Sequence, residues 1–135
     1  MKPDVVFLKH ILDEIDFVLV ATTGKTVTDL LDDGMLQRAC ARSIEIIGEA
    51  TKNVSFTFRK ANPHIQWKQF AAMRDKLIHQ YFGVNWLIVW DVIENHLPTL
   101  RKEIGLLVTT IETEDSQIGQ VVAPKKENIL HATDL

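Results

Sequence analysis

The run MRDKLIHQYFG, residues 73–83, sets Arg74, Asp75, His79 and the chain's single tyrosine, Tyr81, within eleven residues. On a helix turning ~100° per residue, Arg74 and Tyr81 share a face, separated by about 10 Å of rise. Asp75 and His79 are four residues apart and can touch, so the carboxylate can orient or charge the imidazole. A guanidinium that stays cationic and forks bidentately suits a phosphodiester. An imidazole with a reference pKa of ~6.5 can accept or return a proton near neutrality. Together they suit attack of an RNA 2′-hydroxyl on its own phosphate without a metal, His79 moving a proton and Arg74 stabilising charge at phosphorus. One histidine is sparse for a reaction with an entering and a leaving proton. A second copy from a symmetric partner would supply the other, which favours a shared cleft. Spacing alone also fits a plainer picture: a surface arginine, a histidine near a helix end, and a tyrosine at the bundle edge.

Other side chains are weaker candidates. Glu45 and Glu49 are one turn apart and could point toward the motif helix, or be a solvated face or partners for an arginine. The segment SFTFRKANPHIQW interleaves aromatics with Arg59 and Lys60. With Lys76, these are the candidate RNA contacts; a partly packed inter-helix loop is the equal alternative. His10, His64, His96 and His131 show no H-x3-H or similar ligand spacing, so neither a metal site nor a cofactor is expected. Trp67, Trp86 and Trp90 fit core positions better than base-stacking ones. ATTGKT, residues 21–26, lacks the first glycine and the preceding strand of a phosphate loop.

These residues need a scaffold, and 135 residues suffice for one domain with a buried core. Residues 1–50 carry a net charge of -4, residues 51–80 +5 and residues 81–135 -4. The basic middle could attract a polyanion that the chain as a whole, at -3, would repel. Cys40 is the only cysteine, excluding an internal disulfide and a thiolate zinc cage. No apolar run is long enough to span a membrane and no secretory h-region opens the chain, so a cytoplasmic protein is expected.

Apolar spacing predicts four helices. Val5, Leu8, Leu12, Ile15 and Leu19 form the stripe of the first, started by Pro3-Asp4 and ended by Gly24. TVTDLLDDG reads as a loop or a short helical turn. Leu36, Cys40, Ser43, Ile47, Ala50 and Val54 mark the second, where small residues including Gly48 would let another helix approach closely. Residues 55–66 break the pattern before a third helix from Trp67 to Phe82, closed by Gly83. Asn85 would cap the fourth, in which Trp86, Trp90, Ile93, Leu97, Leu100, Ile104 and Leu107 recur and Pro98 forces a kink or break near Leu97. The expected architecture is all-α, an antiparallel four-to-five-helix bundle over residues 1–110, with an extended or flexible tail over 111–135.

The string from Arg74 to Tyr81 has the R-x4-H-x-Y form and resembles the HepT-like group of the HEPN superfamily. RSIEIIGEATKNV (42–54), NPHIQWKQFAAMRDKLIHQYFGVN (62–85) and IVWDVIENHLPTLRKEI (88–104) resemble its successive helices, and the likeness covers roughly residues 5–105. The resemblance implies an all-α homodimer, the toxin half of a toxin–antitoxin pair with a small MNT-type nucleotidyltransferase antitoxin. It implies a metal-independent ribonuclease whose composite cleft holds Arg74 and His79 from both subunits, with Asp75 in support. It also implies that the antitoxin AMPylates Tyr81 to silence the toxin. A non-catalytic helical module that binds nucleic acid or a nucleotidyltransferase is the competing expectation.

Overall fold

The computed structural model describes residues 3–78 and 83–130, with the backbone alone for 78 and 116–130. Helix α1 (Asp4–Ala21) leads from an extended Pro3, and its chain turns off through Gly24 at φ 73°, where a side chain would be strained. Asp4 also anchors the far end of another element: its two oxygens accept from the backbone N–H and the hydroxyl of Ser55 at 2.7 and 2.8 Å. Of the two readings of TVTDLLDDG, a loop or a short helical turn, the structure has the helical one: α2 (Val27–Asp32), started by a reciprocal capping box between Thr26 and Asp29. Those hydrogen bonds, chiefly from the Thr26 backbone N–H, hold the Asp29 carboxyl below the usual carboxylate range. Asp33 then caps α3 (Gly34–Asn53), accepting from the N–H groups of Met35 and Leu36.

Helix α3 is central to the packing, with α1 on one side and α5 (Trp67–Ile78) on the other; α7 (Leu97–Leu130) lies against α1. Its buried line of Leu36, Cys40, Ser43, Ile47, Ala50 and Val54 is the one the spacing predicts. In α1 the fully buried line is Leu8, Ile11, Ile15 and Val18, while Val5, Leu12 and Leu19 are only partly buried. The stripe is rotated because α1 is covered by α3 and α7 together and not by one neighbour. Burial pushes the Cys40 thiol up to about 11, so it packs as a small apolar group.

The predicted break at residues 55–66 contains a short helix, α4 (Phe56–Ala61), capped by the Ser55 hydroxyl. Phe58 meets Trp67 edge to face at 6.3 Å, and the Trp67 indole N–H donates to the Asn62 carbonyl at 2.9 Å. Asn85 caps α6 (Trp86–Asp91) as expected, accepting from the N–H groups of Leu87 and Ile88. Between α6 and α7 lies a π turn, Val92–His96, whose last bond runs from the Leu97 N–H to the Val92 carbonyl. It sits immediately before Pro98. Proline lacks an N–H and its ring would press on the Glu94 carbonyl, so a widened turn absorbs both conflicts.

Residues 111–135 were expected to form an extended or flexible tail. Instead α7 runs as helix to Leu130. Ile111 still packs against the core, and Glu112 pairs with Lys9 of α1 at 2.7 Å, so tertiary contact carries the helix past its last buried layer. Among the described residues every regular element is helical, and no helix is long and apolar enough to cross a membrane.

Candidate functional site

The site begins with a glycine. A Cβ placed on Gly48 of α3 would collide with the Arg74 Cβ and lie 3.0 Å from the Phe70 carbonyl oxygen. Helices α3 and α5 therefore meet almost backbone to backbone, a separation only glycine permits. This contact fixes the base of the Arg74 side chain and leaves its head to be placed by charge.

Two carboxylates place it. The Arg74 Nε lies 3.2 Å from Glu49 Oε2 on α3, and Nη1 donates to Asp75 Oδ1 at 3.1 Å. The same Asp75 oxygen accepts from Lys52 Nζ at 2.7 Å, tying α3 to α5 a second time. The Lys52 hydrogen bond first, and the Arg74 one second, hold the Asp75 carboxyl below the usual carboxylate range. The Arg74 side chain keeps 29 % of its surface exposed. Its Nη2 makes no hydrogen bond among the described residues, and it carries two N–H groups of the kind an anionic oxygen accepts from. Surface pairs of this kind add little stability. Here they restrict rotation of a guanidinium already clamped at its base.

Beside Arg74 runs a groove of about 310 Å³ between α1, α3 and α5. Phe7 and His10 of α1 line one wall, and Arg42, Glu45 and Glu49 of α3 another. Thus Arg74 faces an open cleft and is not sealed in the protomer.

Of the other predicted residues, His79 and Tyr81 lie outside the described residues. Asp75, which by spacing can reach His79, has its Oδ1 shared by Lys52 and Arg74. Glu49 of the two candidate glutamates joins Arg74, while Glu45 stands 3.8 Å from Arg42. Arg59 and Lys60 sit on α4 and do not line the Arg74 groove; the Lys60 Nζ lies 6.0 Å from the Phe56 ring centre. Lys76 lines a different cavity of about 530 Å³ between α5, α6 and the π turn. Sequence reasoning missed Lys52 and the contribution of His10 and Arg42. Gly48 was the available signal, since it located the close approach, although not the residues it would bring together. Among the described residues no group of His, Cys, Asp or Glu side chains could hold a metal ion.

No solved structure matches this chain. The chain is 45% identical over 104 residues to a protein of Caldanaerobacter subterraneus subsp. tengcongensis named "Putative RNase", covering 77% of this chain and 93% of that one. It is 39% identical over 95 residues to the "Probable ribonuclease HepT" of Thermococcus cleftensis, covering 70% and 86%. A match at 40% identity to the "Gamma-glutamylcyclotransferase and putative RNase" of Methanocaldococcus jannaschii spans 96% of this chain but 61% of that longer protein. That likeness extends beyond the roughly 5–105 covered by the sequence resemblance. A family model described as Ribonuclease HepT-like matches residues 11–107, so the chain belongs to the HepT-like family of the HEPN superfamily.

Proposed function

We propose that this protein is a metal-independent endoribonuclease, a toxin that works as a homodimer and is silenced by a nucleotidyltransferase antitoxin. The observation that carries the reading is the Arg74 guanidinium, bracketed by Glu49 and Asp75 at an open groove, with no hydrogen bond to Nη2 among the described residues. A guanidinium so held is preorganised for the charge that grows on a phosphoryl group and need not reorient during the reaction. The HepT-like membership and the ribonuclease names of the relatives agree with it.

In the proposed reaction, His79 of one subunit takes the proton of an RNA 2′-hydroxyl as its oxygen attacks the adjoining phosphorus. Arg74 neutralises the developing charge on the non-bridging oxygens. The bond to the 5′-oxygen breaks, and His79 of the partner subunit protonates that oxygen. The products are a 2′,3′-cyclic phosphate and a free 5′-hydroxyl, with no water or metal consumed. Asp75 and Glu49 are positioning residues that hold Arg74, and Lys52 holds Asp75. Arg59, Lys60 and Lys76 supply outlying contacts to RNA. Silencing is transfer of AMP from ATP to the Tyr81 hydroxyl with release of pyrophosphate, which adds negative charge and bulk beside the cleft and repels RNA.

The test is RNA cleavage in EDTA by the parent beside Arg74→Ala and His79→Ala. Cutting by the parent alone, leaving cyclic-phosphate ends, is the expected result; an inert parent, or variants that cut as well, would refute the reading. Intact mass after co-expression with the antitoxin should rise by AMP units in the parent and stay constant in Tyr81→Phe. An unmodified parent would remove the silencing step.

A further inference from the structure

The groove beside Arg74 has a composition that phosphate binding does not explain. A phosphate lodged in it would meet Glu45 and Glu49 as well as the arginines, and the carboxylates would repel it. A nucleobase would meet no such conflict, because its edge carries donors and acceptors and its faces are apolar.

The walls match that ligand. Phe7 and His10 stand one helical turn apart with rings at 89° and centres 6.2 Å apart, a right-angled aromatic corner on α1. Single-stranded RNA is commonly held by stacking unpaired bases on such rings and bonding their Watson–Crick edges. Across the groove, Arg42 Nη1 and Glu45 Oε2 are 3.8 Å apart, too far for a hydrogen bond, so neither group is saturated by the other. The Glu45 side chain is 30 % exposed, partly desolvated yet open to a ligand, and Arg42 is 72 % exposed. A volume of about 310 Å³ is at the small end for ligand sites and suits one nucleotide, not a duplex.

We infer that the groove between α1, α3 and α5 is a base-reading subsite that takes an unpaired guanine of the RNA next to the phosphodiester held by Arg74. The inference rests on the ribonuclease reading and names the preference of that same site. Guanine is the base that offers two adjacent donors, N1–H and the exocyclic amine, to one carboxylate, here Glu45. It also offers O6 and N7 to a forked guanidinium, here Arg42. Uracil would turn carbonyl oxygens toward Glu45, and adenine and cytosine would offer only their single exocyclic amine. The backbone then runs along the arginines, and the carboxylates keep it out of the groove.

Binding tests this without requiring cleavage. Fluorescence anisotropy is measured for His79→Ala protein with labelled oligouridylates that carry one central G, A, C or U. The guanine oligomer should bind about tenfold more tightly than the uracil one, the span expected of one good bidentate contact. Adding Glu45→Gln should bring the four within about threefold of each other while the uracil oligomer is held as before; His10→Ala should weaken all four together. Both side chains are solvent-accessible, and unchanged circular dichroism and melting confirm that the variants fold. Equal binding of the four bases by His79→Ala protein, or a guanine preference that survives Glu45→Gln, would overturn the subsite. A groove closed by a second copy of the chain gives the equal-binding outcome. Cleavage by the parent is scored separately, so loss of the ribonuclease reading and loss of the subsite are distinguishable.

Discussion

Helix α5 has two flanks that differ in how they meet the rest of the molecule. On one, Phe70 and Arg74 press against Gly48 of α3, and charge fills what space remains: Glu49, Asp75 and Lys52 interlock around the guanidinium. On the other, Ala72, Met73, Lys76 and Leu77 face Val89 and Val92 across a cavity of about 530 Å³, larger than the groove beside Arg74. The larger cavity is bordered by aliphatic side chains and by Lys68 and Lys76, which have no ion pair among the described residues. Asp91 and His96 also border it; they lie 3.3 Å apart on the far wall and touch nothing on α5 among the described ion pairs. The smaller groove borders a cation whose base is fixed by packing and whose head is fixed by charge. A reactive group needs its position restricted in both ways, and the tight flank alone provides them.

The sharpest contrast is in activity. Arg74→Ala should lower cleavage by roughly 10²–10³-fold, the cost of removing a preorganised charge-stabilising donor. Lys76→Ala, on the loose flank, should stay within about threefold, since an outlying phosphate contact contributes only modestly at physiological salt. Initial rates on the same RNA compare the two directly, and similar losses would mean that the site spans both flanks.

Stability should show the same asymmetry. Gly48→Ala inserts a methyl where α3 and α5 touch, an overpacking cost of about 3 kcal/mol that a gain of about 1 kcal/mol in helix propensity does not offset. The expected fall in melting temperature is about 8 °C. Ala72→Val at the wall of the loose cavity should change stability by less than about 0.5 kcal/mol. Thermal denaturation of both proteins settles it. A Gly48→Ala protein as stable as the parent would show that the helices can part freely, and the clamp on Arg74 would lose its basis.

Much of this contrast is local in origin, and what is local was legible. The three- and four-residue spacing of Leu36, Cys40, Ser43 and Ile47 gave α3 its buried face because a helix repeats itself within a few residues. Asn85 and Gly24 announced a cap and a turn for the same reason. Helix α4 escaped notice because its six residues, FTFRKA, are too few to show a period, and its Phe56 is exposed. The α1 stripe was slightly misplaced because two neighbours share its coverage, which periodicity cannot reveal. In the site, Gly48 marked a close approach and R-x4-H-x-Y marked a motif, but nothing along the chain joins them. The Lys52–Asp75 pair spans 23 residues and depends on how two helices cross. His10 looked like an isolated histidine until α1 was laid beside α3.

A subtler effect separates holding Arg74 from merely neutralising it. Glu49→Gln keeps the shape of the side chain and removes its charge. If Glu49 positions Arg74, kcat should drop by about tenfold with KM nearly unchanged, because a transition-state contact is loosened and substrate binding is not. Glu49→Asp, which restores the charge on a shorter stem, should recover part of the rate. A change confined to KM would instead place Glu49 among the groups that repel the RNA backbone, and its removal would then tighten binding.

The smallest expected effect is the pH dependence of the tight flank. Asp75 has its carboxyl held low by Lys52 and Arg74, so across the interval between its folded and ordinary values the unfolded chain binds the extra proton. Its stabilising contribution is therefore complete above the ordinary carboxylate value of 3.8 and is lost as pH falls through the lower folded one. The difference in stability between the parent and Asp75→Asn should be level from pH 7 to about pH 5 and shrink below about pH 4. Because the group is exposed, the difference should also shrink in molar salt. Urea denaturation at pH 7, 5 and 3.5 measures it. A difference that persists undiminished at the lowest pH would mean that Asp75 acts through its shape, and the Lys52–Asp75–Arg74 chain would not be what holds the guanidinium.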